Sequence, residues 1–287
     1  MFHPLGAHSD WDEPDFDPES WEEPELPQRD SAIDDAKAVL EGFFARENLR
    51  VFYQRQLQII FEGEFFHWIT ARALSELVGE GKIASDTLPL PPTGRITLYR
   101  ATTHRYWRRQ ADEIIALVTR FSAQSFTQAL GAHGELMFDA ALPSVGFIPT
   151  ARKVRSYGSK EWVETGHDLD RVFERDGVGY GTEIKNTLSY IESDELVAKV
   201  RMSKHLGLRP LFIVRMAPKS YINEVQEEGG FTLVFKYQLY PFGQKHFADT
   251  VREGLQIPAD CPVRIADGTV QRFLNWHLKK LPKASKL

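Results

Sequence analysis

The sequence predicts an α/β protein: a mixed sheet flanked by helices, preceded by a small, mostly helical domain that ends in two strands. Two patterns and one bulk property carry that expectation. Helix-period and strand-period segments alternate through the second half of the chain, the signature of helices packed on a sheet. The segment from Ser31 to about Arg100 reads instead as helices followed by a strand, a proline-rich excursion and a returning strand. With 287 residues, 42% of them hydrophobic and 12% aromatic, the chain can bury a sizeable core.

Residues 1–30 read as a disordered acidic tail, proline-spaced and without helical or strand period, with Trp11, Phe16 and Trp21 set among the acids. Residues 1–35 carry a charge of −11, so the remainder carries +6 against a net charge of −5. A basic body with an acidic tail suits a polyanion partner; the tail reads as a solvated segment, a nucleic-acid mimic or a docking motif for a protein partner. No apolar run approaches the length of a membrane span. The start of the chain lacks the basic and apolar regions of a signal peptide, so a cytoplasmic location is expected. The single cysteine, Cys261, excludes an internal disulfide and any zinc site built on two thiolates.

Residues 31–103 form the first expected domain. Ser31 is placed to cap a helix whose stripe is Ile33, Ala36, Val39, Leu40, Phe43 and Phe44. A second helix is expected over about Val51–Phe61. A third starts at Ala71 under a Thr70 cap and stops at Gly79/Gly81. "KIASDTLPLPPTGRITLYR" then supplies two strands, with Ile96 and Leu98 inward. Helix, turn, helix and two-stranded wing resemble a winged-helix domain. That resemblance implies Thr70, Arg72 and Ser75 facing the DNA major groove, and Arg95 reaching a backbone phosphate or the minor groove. Winged helices also serve protein contacts alone. Residues 104–130 read as a helical linker, in which Arg105, Arg108 and Arg109 alternate with Tyr106 and Trp107.

Residues 131–287 form the second expected domain. A helix carries Glu135 in its first turns, and Asp139 one turn later reads as a surface or supporting group. "GHDLDRVFERDGVGYGTEIKN" then reads as a hairpin, because its two apolar segments are joined by turn residues. Residues two apart in a strand share a face, so Glu183 and Lys185 point one way with Ile184 opposite. Asp168 and Asp170 likewise share a face, with Leu169 opposite. Pairing the strands brings Asp170 near Glu183, with Lys185 alongside. Two close carboxylates repel unless a cation lies between them, and hard oxygen ligands suit Mg²⁺ or Mn²⁺. Without a metal, the same charges read as a solvent-facing hairpin held by cross-strand ion pairs. "DELVAKVRMSKHLGLRPLFIVRM" follows as helix, Gly207 stop and buried strand; His167, Met202 and His205 read as structural.

Asp170 in "HDLDRVF" with Glu183 and Lys185 in "TEIKN", plus Glu135 in "GELMFDAAL", resembles the PD-(D/E)XK nuclease superfamily over about residues 131–216. Leu169 stands where many members have proline. The resemblance implies a restriction-endonuclease-like mixed sheet and a metal-dependent DNA endonuclease acting on double-stranded or branched DNA. Glu135, Asp170 and Glu183 would hold Mg²⁺ or Mn²⁺, Lys185 would position the attacking water, and Lys199 on the next helix would touch a phosphate. Restriction, other defence, repair and junction processing all use such enzymes, often as homodimers. Two other readings stay open: a DNA-binding protein with a degenerate nuclease fold, and an interaction module docked through the acidic tail.

Overall fold

A computed structural model describes residues 30–280. The acidic tail, but for Asp30, lies outside them, as do Lys283 and Lys286 of the basic C-terminal stretch, which the sequence offers as a DNA-backbone contact or a solvated end. The first part runs α1 (Ala32–Arg46), β1 (Val51–Tyr53), α2 (Gln54–Ile60), α3 (His67–Gly79), β2 (Ile83–Leu90) and β3 (Gly94–Ala101). Three of its boundaries differ from expectation. Asp30 accepts the Ala32 N–H at 3.0 Å, while the Ser31 side chain makes no capping bond. Val51–Tyr53 leaves the expected helix to pair antiparallel with β3. Finally, α3 begins at His67 rather than Ala71, so Thr70 is interior and fully buried.

The three strands pair in the order β1-β3-β2. Alternation along them feeds two cores. Phe52 and Tyr99 face α1 and α3, among Leu40, Phe44 and Leu74. Val51, Tyr53, Ile96 and Leu98 face the other way, against Ala111, Ile114 and Val118 of α4 (Arg108–Phe121). That second core also takes in Phe247, Val251 and Leu255 of α8 (Lys245–Leu255) and Ala259 of β12 (Ala259–Asp260).

The second sheet has five strands in the order β10-β9-β8-β7-β4. They are β4 (Ile148–Val154), β7 (Leu169–Arg175), β8 (Val178–Lys185), β9 (Arg209–Val214) and β10 (Phe231–Val234). β4, β7 and β8 are antiparallel; β8, β9 and β10 are parallel, so the sheet is mixed. Between β4 and β7 lie the short β5 (Ser156–Tyr157) and β6 (Lys160–Glu161), paired only with each other, and β11 (Gln238–Leu239) pairs β12. The expected hairpin is β7–β8. Its two-residue loop is Asp176–Gly177, both at positive φ, as a hairpin with right-handed twist requires.

One face of the sheet packs Tyr180, Ile184 and Leu211 under α5 (Gln124–Ala141) and α9 (Asp267–Lys280). α5 starts at Gln124, seven residues before the boundary expected at 131, and so takes in the last part of the linker expected at 104–130. A chain of contacts running from the core to the surface fastens α9 to the hairpin: Tyr180 Oη meets His277 Nδ1 at 2.6 Å, and His277 Nε2 meets the half-exposed Asp176 at 3.0 Å. The other face carries α6 (Ser193–His205), which crosses from β8 to β9, and α7 (Lys219–Glu227). α6 lies close because β8 presents Gly181 to it, while Gly179 makes room for Leu208 and Tyr157. A Cβ on Gly181 would sit 2.7 Å from Ser203 Oγ and 2.8 Å from Leu169 Cδ1. Gly181→Ala is therefore expected to cost ~1–3 kcal/mol by overpacking, read from the urea midpoint; an unchanged midpoint would mean α6 yields freely.

Candidate active site

The site lies where the parallel strands β8 and β9 end, the usual ligand side of a parallel sheet. Arg171 pairs with Thr182 in the β7–β8 register, so one step outward Asp170 stands opposite Glu183. Asp170 Oδ2 accepts the Ile184 N–H at 2.8 Å, which draws its carboxylate onto the β8 backbone. Glu183 is almost fully buried at 2% exposure. Its Oε1 meets Lys185 Nζ at 2.9 Å and its Oε2 meets Lys199 Nζ at 2.6 Å. Lys185 reaches on to Glu195 Oε1 at 2.8 Å, at the start of α6.

Burial pushes the Asp170 carboxyl above the usual carboxylate range, with Glu135 adding repulsion and the Ile184 N–H and two lysines opposing. Burial also raises Glu183, and the charge of Asp170 raises it further against the pull of Lys199 and Lys185. Burial alone would lower Lys185, but Glu183 and Glu195 more than reverse it, so its pKa rises. Lys185 thus stays an ammonium: a charge that orients and neutralises, not a base that takes a proton.

Three expectations need correction. Glu135 lies near enough to Asp170 to repel its charge, but its carboxylate is turned to an arginine rather than to a shared three-carboxylate site. Its Oε2 pairs with Arg171 Nη2 at 2.8 Å, and Arg171 also grips Asp139 at 2.9 Å. Among the described residues, no group of three or more His, Cys, Asp or Glu side chains is arranged to hold a metal ion. Lys199 is not a phosphate contact. It is 4% exposed and spends its ammonium on Glu183 and the Asp168 carbonyl. Thr70 cannot face DNA, because α3 buries it and its hydroxyl turns back toward the Phe66 carbonyl at 3.4 Å.

Other expected residues fall as follows. Asp168 precedes β7 and offers the cluster its backbone carbonyl. Arg72 is exposed and pairs with Glu76 at 3.0 Å, Ser75 is exposed one turn on, and Arg95 is exposed at the tip between β2 and β3. Arg105, Tyr106, Arg108 and Arg109 are exposed before and at the start of α4.

No family model matches this chain, and no curated protein matches it. Among solved structures it is similar to an EndoMS–dsDNA2 complex, at 13% identity and a TM-score of 0.30, over 54% of this chain and 65% of that one. The match spans less than two thirds of that chain, and a likeness this slight carries no argument about fold or activity.

Three supporting residues were not picked out from the sequence: Glu195, which holds Lys185; Arg171, which draws Glu135 away; and Arg215, just past β9. Arg171 follows Asp170 directly, and Glu195 opens the next helix, so position offered a signal for both; partner choice did not.

The cluster's fit to a divalent ion can be judged from its donors. Asp170 and Glu183 offer hard oxygens whose mutual repulsion a cation would relieve. Mg²⁺ is commonly bound through one or two carboxylates, with water and substrate phosphate completing its shell, so two carboxylates suffice. Lys185 and Lys199 already supply part of that compensation.

Proposed function

We propose that the chain is a metal-dependent DNA endonuclease of the PD-(D/E)XK type. The carrying observation is the meeting of Asp170, Glu183 and Lys185 at the ends of β7 and β8, with both carboxylates pushed up by burial. Asp170 and Glu183 would hold Mg²⁺ or Mn²⁺. Such an ion, when bound, supplies charge stabilisation at the scissile phosphate and an activated water. Lys185 holds its ammonium beside that place, kept in line by Glu195, to orient the water and meet developing negative charge.

The mixed sheet with a buried central hairpin supports a restriction-endonuclease-like domain. The order α1-β1-α2-α3-β2-β3, with β1 paired to β3, supports a winged-helix domain before it. On that reading, the exposed Arg72 and Ser75 of α3 and Arg95 at the strand tip meet duplex DNA.

The deciding experiment is cleavage of supercoiled plasmid and of branched DNA in Mg²⁺, Mn²⁺ or EDTA. Asp170→Ala and Lys185→Ala are each expected to cut about 10²- to 10³-fold more slowly than wild type. DNA bound by all three proteins and cut by none would overturn the reading.

One observation favours a second reading. The two lysines already compensate Glu183 without any metal, as a non-catalytic DNA-binding protein would need. The two readings part on pH. Asp170 and Glu183 titrate above the ordinary carboxylate range, so they destabilise the metal-free fold as pH rises through their folded pKa values. An ion binding there should therefore raise the melting temperature more at pH 8 than at pH 5. A Mg²⁺-induced shift that is absent, or equal at both pH values, would favour the non-catalytic reading.

A further inference from the structure

We propose that the Glu62–Arg215 pair, with the His67–Tyr190 stack beside it, couples engagement of α3 to the placement of Lys185; the inference rests on the reading of the site given above. Arg215 directly follows β9 and is 3% exposed. Its Nη1 and Nη2 donate to the two oxygens of Glu62, each at 2.7 Å. Its Nε donates to the Thr187 carbonyl at 3.1 Å, and its backbone N–H to the Lys185 carbonyl at 3.3 Å. One side chain thus joins the segment before α3 to the exit of the strand that carries Glu183 and Lys185.

A second connection runs parallel to it. His67 opens α3 and stacks on Tyr190, with centroids 4.1 Å apart and rings 15° from coplanar. Its Nδ1 accepts from Arg55 at 3.0 Å, so its proton sits on Nε2, which faces Glu62 at 3.6 Å. Gln58 Nε2 donates to the His67 carbonyl at 3.0 Å and fixes the helix start from below. Tyr190 belongs to the segment between β8 and α6, and α6 contributes the Glu195 that holds Lys185. One connection leaves Glu62, between α2 and α3, and the other leaves His67 at the start of α3; both arrive on residues 185–190.

A buried ion pair is a weak source of net stability, because desolvation offsets the attraction; its two-pronged geometry is what it fixes. A cleft of about 300 Å³ lies beside the pair, lined by Phe65, Phe66, Tyr190, Met216 and Lys219, and leaves the two parts room to shift. A displacement of α3 by bound DNA would move Glu62 and His67 together. Arg215 and Tyr190 would carry that movement to the backbone around Lys185.

The test compares wild type, Glu62→Gln and the apolar pair Glu62→Leu/Arg215→Met, which keeps the contact filled if the single variant folds poorly. A fluorescein-labelled duplex measures affinity in EDTA, and single-turnover cleavage in Mg²⁺ measures the chemical step. Coupling predicts affinity within about twofold of wild type and cleavage at least tenfold slower. Cleavage at the wild-type rate would overturn it. So would affinity, cleavage and melting temperature falling together, since that is a structural contact only. Should wild type cut nothing, the nuclease reading fails and amide exchange decides the coupling. Duplex-induced protection over residues 183–191 in wild type, lost in Glu62→Gln, supports it; no such protection in wild type, or the same protection in both, overturns it.

Discussion

Lys199→Met is expected to lower the stability of the metal-free protein by ~3–5 kcal/mol near pH 8, the usual consequence of removing one partner of a buried ion pair. Against a total of ~5–15 kcal/mol for an ordinary domain, that is a large share. The cause is Glu183, buried beside Asp170 and left with Lys185 as its one cationic contact. The pH dependence has a definite sign. Glu183 already titrates high, and losing Lys199, which pulls its pKa down, raises it further. The carboxyl, short of one of its two cations, is therefore better tolerated when protonated, and the deficit should shrink as pH falls through its folded pKa. Urea denaturation at pH 5 and pH 8 reads this out. An equal deficit at both values would mean that the lysine's methylenes, not its charge, hold α6 to β8.

Asp170→Asn should move stability and activity in opposite directions. The amide keeps an oxygen for the Ile184 N–H but removes a charge that burial and Glu135 both penalise. The metal-free variant is expected to melt higher than wild type at pH 8, while cleavage falls by about 10²- to 10³-fold. Mg²⁺ should no longer raise its melting temperature. A variant that melts lower would show that the ionised carboxylate stabilises the metal-free fold. Stability given up at a charged cluster is common where a site is built for a ligand that supplies the missing charge.

The hairpin was legible in the sequence because its signals are local. Alternation set Leu169 and Ile184 inward, and Asp176–Gly177 has the chemistry of a tight turn. The placing of Asp170 beside Glu183 with Lys185 alongside follows from that period alone. Glu135 was placed correctly on a helix near Asp170, but its ion pair with Arg171 was not foreseen. Its partner is chosen by which face of β7 meets α5, and that face presents Arg171. Lys199 read as a phosphate contact; Gly181 on β8 lets its helix pack so close that the lysine is interior. The start of α3 was misread because Phe66 and His67 carry no polar cap signal, while Thr70 imitates one. Val51–Tyr53 is a strand of three residues, too short for any period to show.

The inner core of the first sheet has a consequence for how the chain is made. Val51, Tyr53, Ile96 and Leu98 are covered in part by Phe247, Val251, Leu255 and Ala259. A nascent chain emerging from the ribosome would therefore present the first sheet with one face covered by α4 but still short of α8 and β12 until residues near 260 had cleared the exit. Such a surface invites chaperones and premature association during synthesis. A cut after residue 244 would not liberate a smaller, self-sufficient N-terminal piece; it would leave the part of that core covered by α8 and β12 in water, and the fragment should aggregate.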